Sequence, residues 1–239
     1  MRGLTPLETA AQSFAPDPHC LTPAHPAFLQ LCLASKRYQQ ADDFLDRTPI
    51  YQVDPVKTGM VALDLLRYFY YAGMVFVGLQ RYGDACDCFR TVLATPAHAL
   101  SAVAVESYKK LLLITALLPS SAALPVPSAD SSSSSSSSTA AAAAGGGGGT
   151  TAASQSKPLL PKNTPLVVSR SIRQTSLFYH DLLTAAQAGN AEGVKALIEK
   201  HAEALMADQN LGLARQVRLH FPCPSPSFLT FSFCFIKSC

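Results

Sequence analysis

One pattern occurs twice in the chain, 44 residues apart. Arg37-Tyr38 followed by Ala41 and Leu45 recurs as Arg81-Tyr82 followed by Ala85 and Phe89. Steps of three and four residues place these positions on one face of an α-helix. A small alanine lets a neighbouring helix approach closely, and the large apolar residue four positions on fills the groove between them. One helical pair cannot bury such a face alone, so the pattern demands stacking of like units. The expected fold is therefore an all-α solenoid of helical pairs.

The rest of the amino-terminal half reads consistently with that. Residues 1–23, rich in Pro, Thr and Ala, read as an irregular segment. Phe28, Leu31, Cys32 and Ser35 form the stripe of a first helix, and a polar turn at Ser35-Lys36-Arg37 leads into a second that stops at Thr48-Pro49. Residues 49–57 read as a loop. A long helix is expected from Gly59 to Leu79, with Leu66, Phe69, Gly73, Phe76 and Val77 on one face. Ala72, Gly73 and Gly78 are small enough to admit a close neighbour, although each glycine costs about 1 kcal/mol in a helix interior. The next helix has the cleanest stripe: Tyr82, Ala85, Cys86, Phe89, Val92 and Leu93. Thr95-Pro96 marks a boundary, with Thr95 as candidate cap of a helix carrying Leu100, Val103, Ser107, Leu111, Ile114 and Leu118. Gly73, Ala85, Phe89 and Pro96 partly match the tetratricopeptide pattern.

A tract of eight serines at 131–138, then Ala140–Ala144, then Gly145–Gly149 interrupts the chain. Such a composition cannot bury enough apolar surface to offset its ordering entropy, so it reads as a disordered insertion. Residues 158–175 read as less regular. Helices follow over Ser176–Ala188 and through Val194, Leu197, Ile198, His201 and Leu205, with Gly189 as stop and Asn190 as cap, and another begins near Leu211. The stretch from Ala185 through Gly189-Asn190 to Leu197-Ile198 also resembles the helical part of an ankyrin repeat. The last stretch, Phe228–Ile236, is the one strand-like candidate. The resulting organisation is 1–23 irregular, 24–118 tetratricopeptide-like repeats, 119–170 disordered linker, 171–219 a second helical segment, and 220–239 an unmatched tail.

Chemistry is conspicuous by its exclusions. The net charge of +3 is too small to argue for nucleic acid, and Lys109-Lys110, Arg170, Arg173, Arg215 and Arg218 read as solvated faces or partner contacts. The seven cysteines (20, 32, 86, 88, 223, 234, 239) are an odd set that suits reduced, buried thiols rather than a disulfide framework. Cys86 and Cys88 point about 200° apart on a helix and cannot easily share a ligand. His19, Cys20, His25 and Cys32 match no zinc module. There is no His-Glu-x-x-His, Gly145–Gly149 lacks the Lys-Ser/Thr of a phosphate loop, and no Gly-x-Ser-x-Gly occurs. No catalytic, cofactor-binding or metal residue is assigned, and no cofactor is expected. Residues 1–15 lack an apolar leader. The apolar run from Met60 to Leu79 contains Asp64 and Arg67, so no membrane span is expected. The expectation is a soluble protein of the cytosol or nucleus.

Four segments carry a closer likeness. Phe28-Leu-Gln-Leu-Cys-Leu-Ala-Ser-Lys-Arg-Tyr38, Tyr70 to Tyr82 and Val105-Glu-Ser-Tyr-Lys-Lys-Leu-Leu-Leu113 resemble the subunit 3 family of the COP9 signalosome, as does Asp208-Gln-Asn-Leu-Gly-Leu-Ala-Arg-Gln216 beyond the tract. The likeness covers residues 21–118 and 160–217. It implies tetratricopeptide-like helices leading into a PCI domain, here incomplete. It also implies a non-enzymatic scaffold in a hetero-oligomer with the other signalosome subunits, located in nucleus and cytoplasm. The implied complex removes NEDD8 from cullins through a metalloprotease on another subunit, and so regulates cullin–RING ubiquitin ligases. The alternatives are a PCI scaffold of the proteasome lid or of the translation initiation factor complex, and an independent repeat adaptor that binds peptides. The chain is expected to lack repeats before residue 21 and the winged helix after Val217.

Overall fold

A computed structural model describes residues 3–15, 17, 19–96, 100–118, 160–161 and 164–220. Most of the expected disordered insertion and the tail from 221 lie outside the described residues, as does the strand-like candidate. The described residues form α1 (Leu4–Ser13), α2 (Ala24–Ala34), α3 (Tyr38–Arg47), α4 (Pro55–Thr58), α5 (Ala62–Gly78), α6 (Tyr82–Ala94), α7 (Ala102–Leu117), α8 (Leu166–Thr175), α9 (Leu177–Gln187), α10 (Ala191–Lys200), α11 (Ala202–Ala207) and α12 (Leu211–His220). Among them the sole β-type contact is an isolated parallel bridge between Cys20 and Gln52. The fold is an all-α helical-repeat solenoid.

The repeat is more regular than two copies. Four helix pairs, α2/α3, α5/α6, α9/α10 and α11/α12, are joined by one turn whose central residue is left-handed: Lys36 (φ 57°), Gln80 (62°), Gly189 (68°) and Gln209 (56°). In each, the next amide reaches back to a carbonyl of the preceding helix: Arg37 to Cys32 (2.9 Å), Arg81 to Phe76 (2.9 Å), Asn190 to Ala185 (3.0 Å) and Asn210 to Leu205 (2.8 Å). A second bond closes each turn: Lys36 to Leu33, Gln80 to Val77, Gly189 to Ala186 and Gln209 to Met206. This is the Schellman arrangement, which satisfies carbonyls that the helix end leaves open. Four residues past each turn's exit stands a small or branched side chain with no exposed surface: Ala41, Ala85, Val194 and Ala214. The ankyrin-like segment is thus another instance of the same hairpin.

Two clusters make the core. Leu4, Leu21, Phe28, Leu29, Phe44, Tyr68, Ala72 and Val75 join α1, α2, α3 and α5. Phe89, Leu93, Leu111–Ile114, Tyr179, Leu182, Ile198, Leu205 and Val217 join α6, α7 and α9–α12. Helix α5 serves both, so its expected single stripe is really two faces: Tyr68, Ala72 and Val75 look one way, and Tyr70, Met74 and Val77 the other. The glycine approaches are real, because a Cβ on Gly73 would stand 2.8 Å from Phe89 and one on Gly78 would stand 2.7 Å from Tyr38. Helix α7 packs against α5 and α6 on one side and α8, α9 and α12 on the other. Every residue from Ser107 to Ile114 is buried, and each fully enclosed leucine there contributes about 1.5–3 kcal/mol.

Several expectations need correction. The supposedly irregular start contains α1, because Pro6 falls in a first turn where its missing N–H costs nothing, and Leu4 and Ala11 are buried. The loop at 49–57 runs into one helical turn, α4. Its start is capped by Asp54, which accepts from the amides of Val56 and Lys57, and its end by left-handed Gly59, so α5 starts only at Ala62. Phe44, not Leu45, is the large apolar side chain that α3 buries fully, beside Ala41. Thr95 does not cap α7: its hydroxyl donates to Thr91 at the end of α6, and α7 begins at Ala102, past Leu100. The linker ends earlier than residue 170, since Leu160 is buried and α8 starts at Leu166. The helix through Leu205 breaks at His201, whose ring stacks on Phe178 at 4.8 Å.

Candidate functional site: a buried ionic network on helix α7

Glu106, Lys109 and Lys110 stand at i, i+3 and i+4 of α7 and therefore share one helix face. Lys109 and Lys110 are 7% and 3% exposed, so they are not the solvated pair that their sequence suggests. The Lys109 ammonium lies 2.8 Å from Glu106 Oε1 and 2.8 Å from Asp208 Oδ1. Lys110 donates to Asn210 Oδ1 at 2.7 Å and lies 3.7 Å from Glu106 Oε2. Tyr179 of α9 donates to Asp208 Oδ2 at 2.8 Å and accepts from Asn210 Nδ2 at 3.0 Å. Asp208 and Asn210 flank Gln209 in the turn between α11 and α12, and the left-handed backbone there turns both side chains toward α7. Two ammonium groups thus meet two carboxylates, a phenol and an amide.

The environment treats the two lysines differently. Burial lowers the affinity of Lys109 for its proton, but the bonds to Asp208 and Glu106 outweigh burial and hold it above its ordinary pKa. Lys110 has a neutral amide as its nearest partner, so burial dominates and its pKa falls. Burial, with Asp208 beside it, drives the Tyr179 phenol well above its usual range. Tyr70, whose ring lies under Lys110, is pushed up to about 12, mainly by burial. All of these groups are committed to one another. The network's chemistry is that of a clamp joining α7, α9 and the α11/α12 turn. A neighbouring polar pair, Tyr108 and His180 at 3.2 Å, ties α7 to α9 again.

The other residues singled out in the sequence do not converge. His19 bonds the Pro49 carbonyl and packs on Tyr51, while Cys20 sits beside Gln52. His25 accepts from the Thr22 amide at 3.1 Å between Phe44 and Tyr68. Cys86 belongs to the carboxy-terminal cluster, and Cys88 leans on the amino-terminal one. Among the described residues no group of three or more His, Cys, Asp or Glu side chains could hold a metal ion. No helix among them is long and apolar enough to cross a membrane. Arg170, Arg173, Arg215 and Arg218 are all exposed, and Arg173 also bears on Tyr108 and His180 at the α7/α9 contact. A surface groove lies where α6 ends and α8 passes α7, lined by Leu66, Leu93, Pro96, Ala104, Val168 and Ile172.

These features define a helical-repeat protein whose conspicuous polar site is internal and binds its own helices together. A family model described as COP9 signalosome complex subunit 3, N-terminal helical repeats, matches residues 1–132. The chain belongs to that family. Its curated relatives include COP9 signalosome complex subunit 3 of Dictyostelium discoideum, 30% identical over 195 residues, which covers 82% of this chain and 38% of the relative. The subunit 3 of Arabidopsis thaliana is 35% identical over 115 residues, covering 48% of this chain and 25% of that one. The chain thus spans well under half the length of both. The family match starts at residue 1, which corrects the expectation that the likeness begins at residue 21. The clamp joins the two segments of likeness nearest the tract, Val105–Leu113 and Asp208–Gln216, although about a hundred residues separate them in sequence.

Proposed function

We propose that the chain is a non-catalytic scaffold segment of the COP9 signalosome, holding other subunits of that hetero-oligomer so that NEDD8 is removed from cullins by a metalloprotease elsewhere in the complex. Through this it regulates cullin–RING ubiquitin ligases, in nucleus and cytoplasm. Family membership is the observation that carries the reading. The architecture supports it, since stacked helical pairs present a long surface suited to partner helices. The titratable groups of the α7 network are occupied with one another and lie inside the fold, which suits a structural role. Helices α8–α12 are assigned to the start of the PCI domain on the strength of the resemblance at 208–216.

The test is the neddylated fraction of cullins in the cells that make the chain. Its removal raises that fraction and its return lowers it, while the purified chain alone leaves NEDD8–cullin intact. Unchanged neddylation on removal, or cleavage by the chain alone, overturns the reading.

A further inference from the structure

We infer that the network of Glu106, Lys109 and Lys110 with Tyr179, Asp208 and Asn210 selects the register in which α9–α12 dock on α7. The apolar part of this contact carries less positional information than the polar part. On α7 it includes Leu111, Leu112, Leu113, Ile114 and Leu117, and four of the residues opposite are also leucines, Leu182, Leu183, Leu205 and Leu213. One leucine fits another's place with modest loss, so an apolar seam of this kind has several near-equal alignments.

The polar contacts discriminate sharply. A slip of one helical turn, about 5.4 Å along α7, moves Asp208 and Asn210 off the two lysines. In one direction they meet Leu113 and Ile114, which costs Lys109 the Asp208 carboxylate, costs Lys110 the Asn210 amide, and sets both turn residues against apolar side chains. In the other Asp208 meets Val105 and Asn210 meets Glu106, which sets a buried carboxylate against an apolar side chain and again parts both lysines from the turn. The native alignment satisfies every member: Lys109 at 2.8 Å from Asp208, Lys110 at 2.7 Å from Asn210, and Tyr179 bonded to both residues of the turn. Burial makes each mismatch severe, and a buried polar group that specifies register is the best-attested use of such groups. The clamp therefore fixes where the carboxy-terminal helix pairs sit relative to the amino-terminal repeats, and with that the surface shared by the two halves.

The experiment is methyl NMR on the full chain labelled at isoleucine δ1, with Ile114, Ile172 and Ile198 reporting on the shared core. The quadruple variant Lys109→Met, Lys110→Met, Asp208→Leu, Asn210→Leu replaces the four groups that pair across the contact with apolar side chains. It is expected to remain helical and to give two or more resonances for each of these isoleucines, where the parent gives one. One wild-type-like set in the folded variant overturns the inference. So does a fall in melting temperature with a single set retained, because that is the signature of a network serving stability alone. The double variant Lys110→Met, Asn210→Leu removes only one of the two pairs that cross the contact and decides the matter if the quadruple variant does not fold. It should show a minor second set, and a single set overturns the inference.

Discussion

Two glycines on one helix make a controlled comparison. An added Cβ at Gly73 would lie 2.8 Å from two atoms of the Phe89 ring, and one at Gly78 would lie 2.7 Å from two atoms of the Tyr38 ring. The neighbours differ in freedom. Phe89 is fully buried beside Tyr70, at a centroid distance of 6.1 Å, and has nowhere to go. Tyr38 is half-buried at the first position of α3 and can swing outward. Alanine at Gly73 gains about 1 kcal/mol of helix propensity, against about 1–3 kcal/mol for forcing a packed ring aside. The net is a loss of about 1 kcal/mol, or about 2–4 °C in melting temperature for a chain of this size. At Gly78, the last residue of α5, the propensity gain is small and the ring yields, so Gly78→Ala should change stability by less than about 0.5 kcal/mol. Thermal and urea unfolding of the full chain measure both. In a Phe89→Leu background the Gly73→Ala penalty should shrink or reverse, as coupled neighbours require. Equal melting temperatures for the two alanine variants, or a Gly73→Ala penalty that persists without the Phe89 ring, would refute the packing argument.

The shared turn predicts that Gln80→Gly and Gln209→Gly each stabilise the protein by about 0.5–1 kcal/mol, because a left-handed backbone strains any residue with a Cβ; a lower urea midpoint for both would contradict this. Burial holds the pKa of His25 below its ordinary value, and burial together with Arg173 does the same for His180. The unfolded chain then takes up more protons below about pH 6.5, so stability is full above that pH and falls as pH drops through it. Urea midpoints from pH 7.5 to 5 should show the loss, with a shallower slope in His25→Asn; an identical slope removes His25 from the account. Burial, with minor help from nearby carboxylates, pushes the Cys32 and Cys86 thiols up to about 11 and Cys88 up to about 12. All three should resist alkylation at pH 7 until the protein is unfolded, and native-state labelling of Cys86 at the rate of a free thiol would show that this core is open.

Much of the architecture was legible because local signals and packing agree. The stripe of α6 is buried as read at Ala85, Cys86, Phe89, Val92 and Leu93, and Gly189 and Asn190 end and begin helices as their chemistry demands. The errors came where proline outweighed periodicity. Leu4, Leu7 and Ala11 form a stripe in α1 that Pro6 obscured, and Pro165 immediately precedes α8 rather than excluding it. The clamp was hidden for a different reason. Lys109-Lys110 looks like surface because its partners Asp208 and Asn210 lie about a hundred residues away and only the fold brings them near. One signal was available: the turns just after the lysine pair, Leu111–Ile114 and Ala116–Leu118, are apolar on every side and offer the lysines no wet face to continue. That Glu106 stands one turn before them was the second clue.

Affinity purification of the tagged full chain from its own cells, read by quantitative mass spectrometry, tests the scaffold role most directly. The account predicts recovery of the other signalosome subunits in stoichiometric amounts. Recovery of the chain without them, under conditions in which a tagged catalytic subunit does bring down the complex, would contradict it.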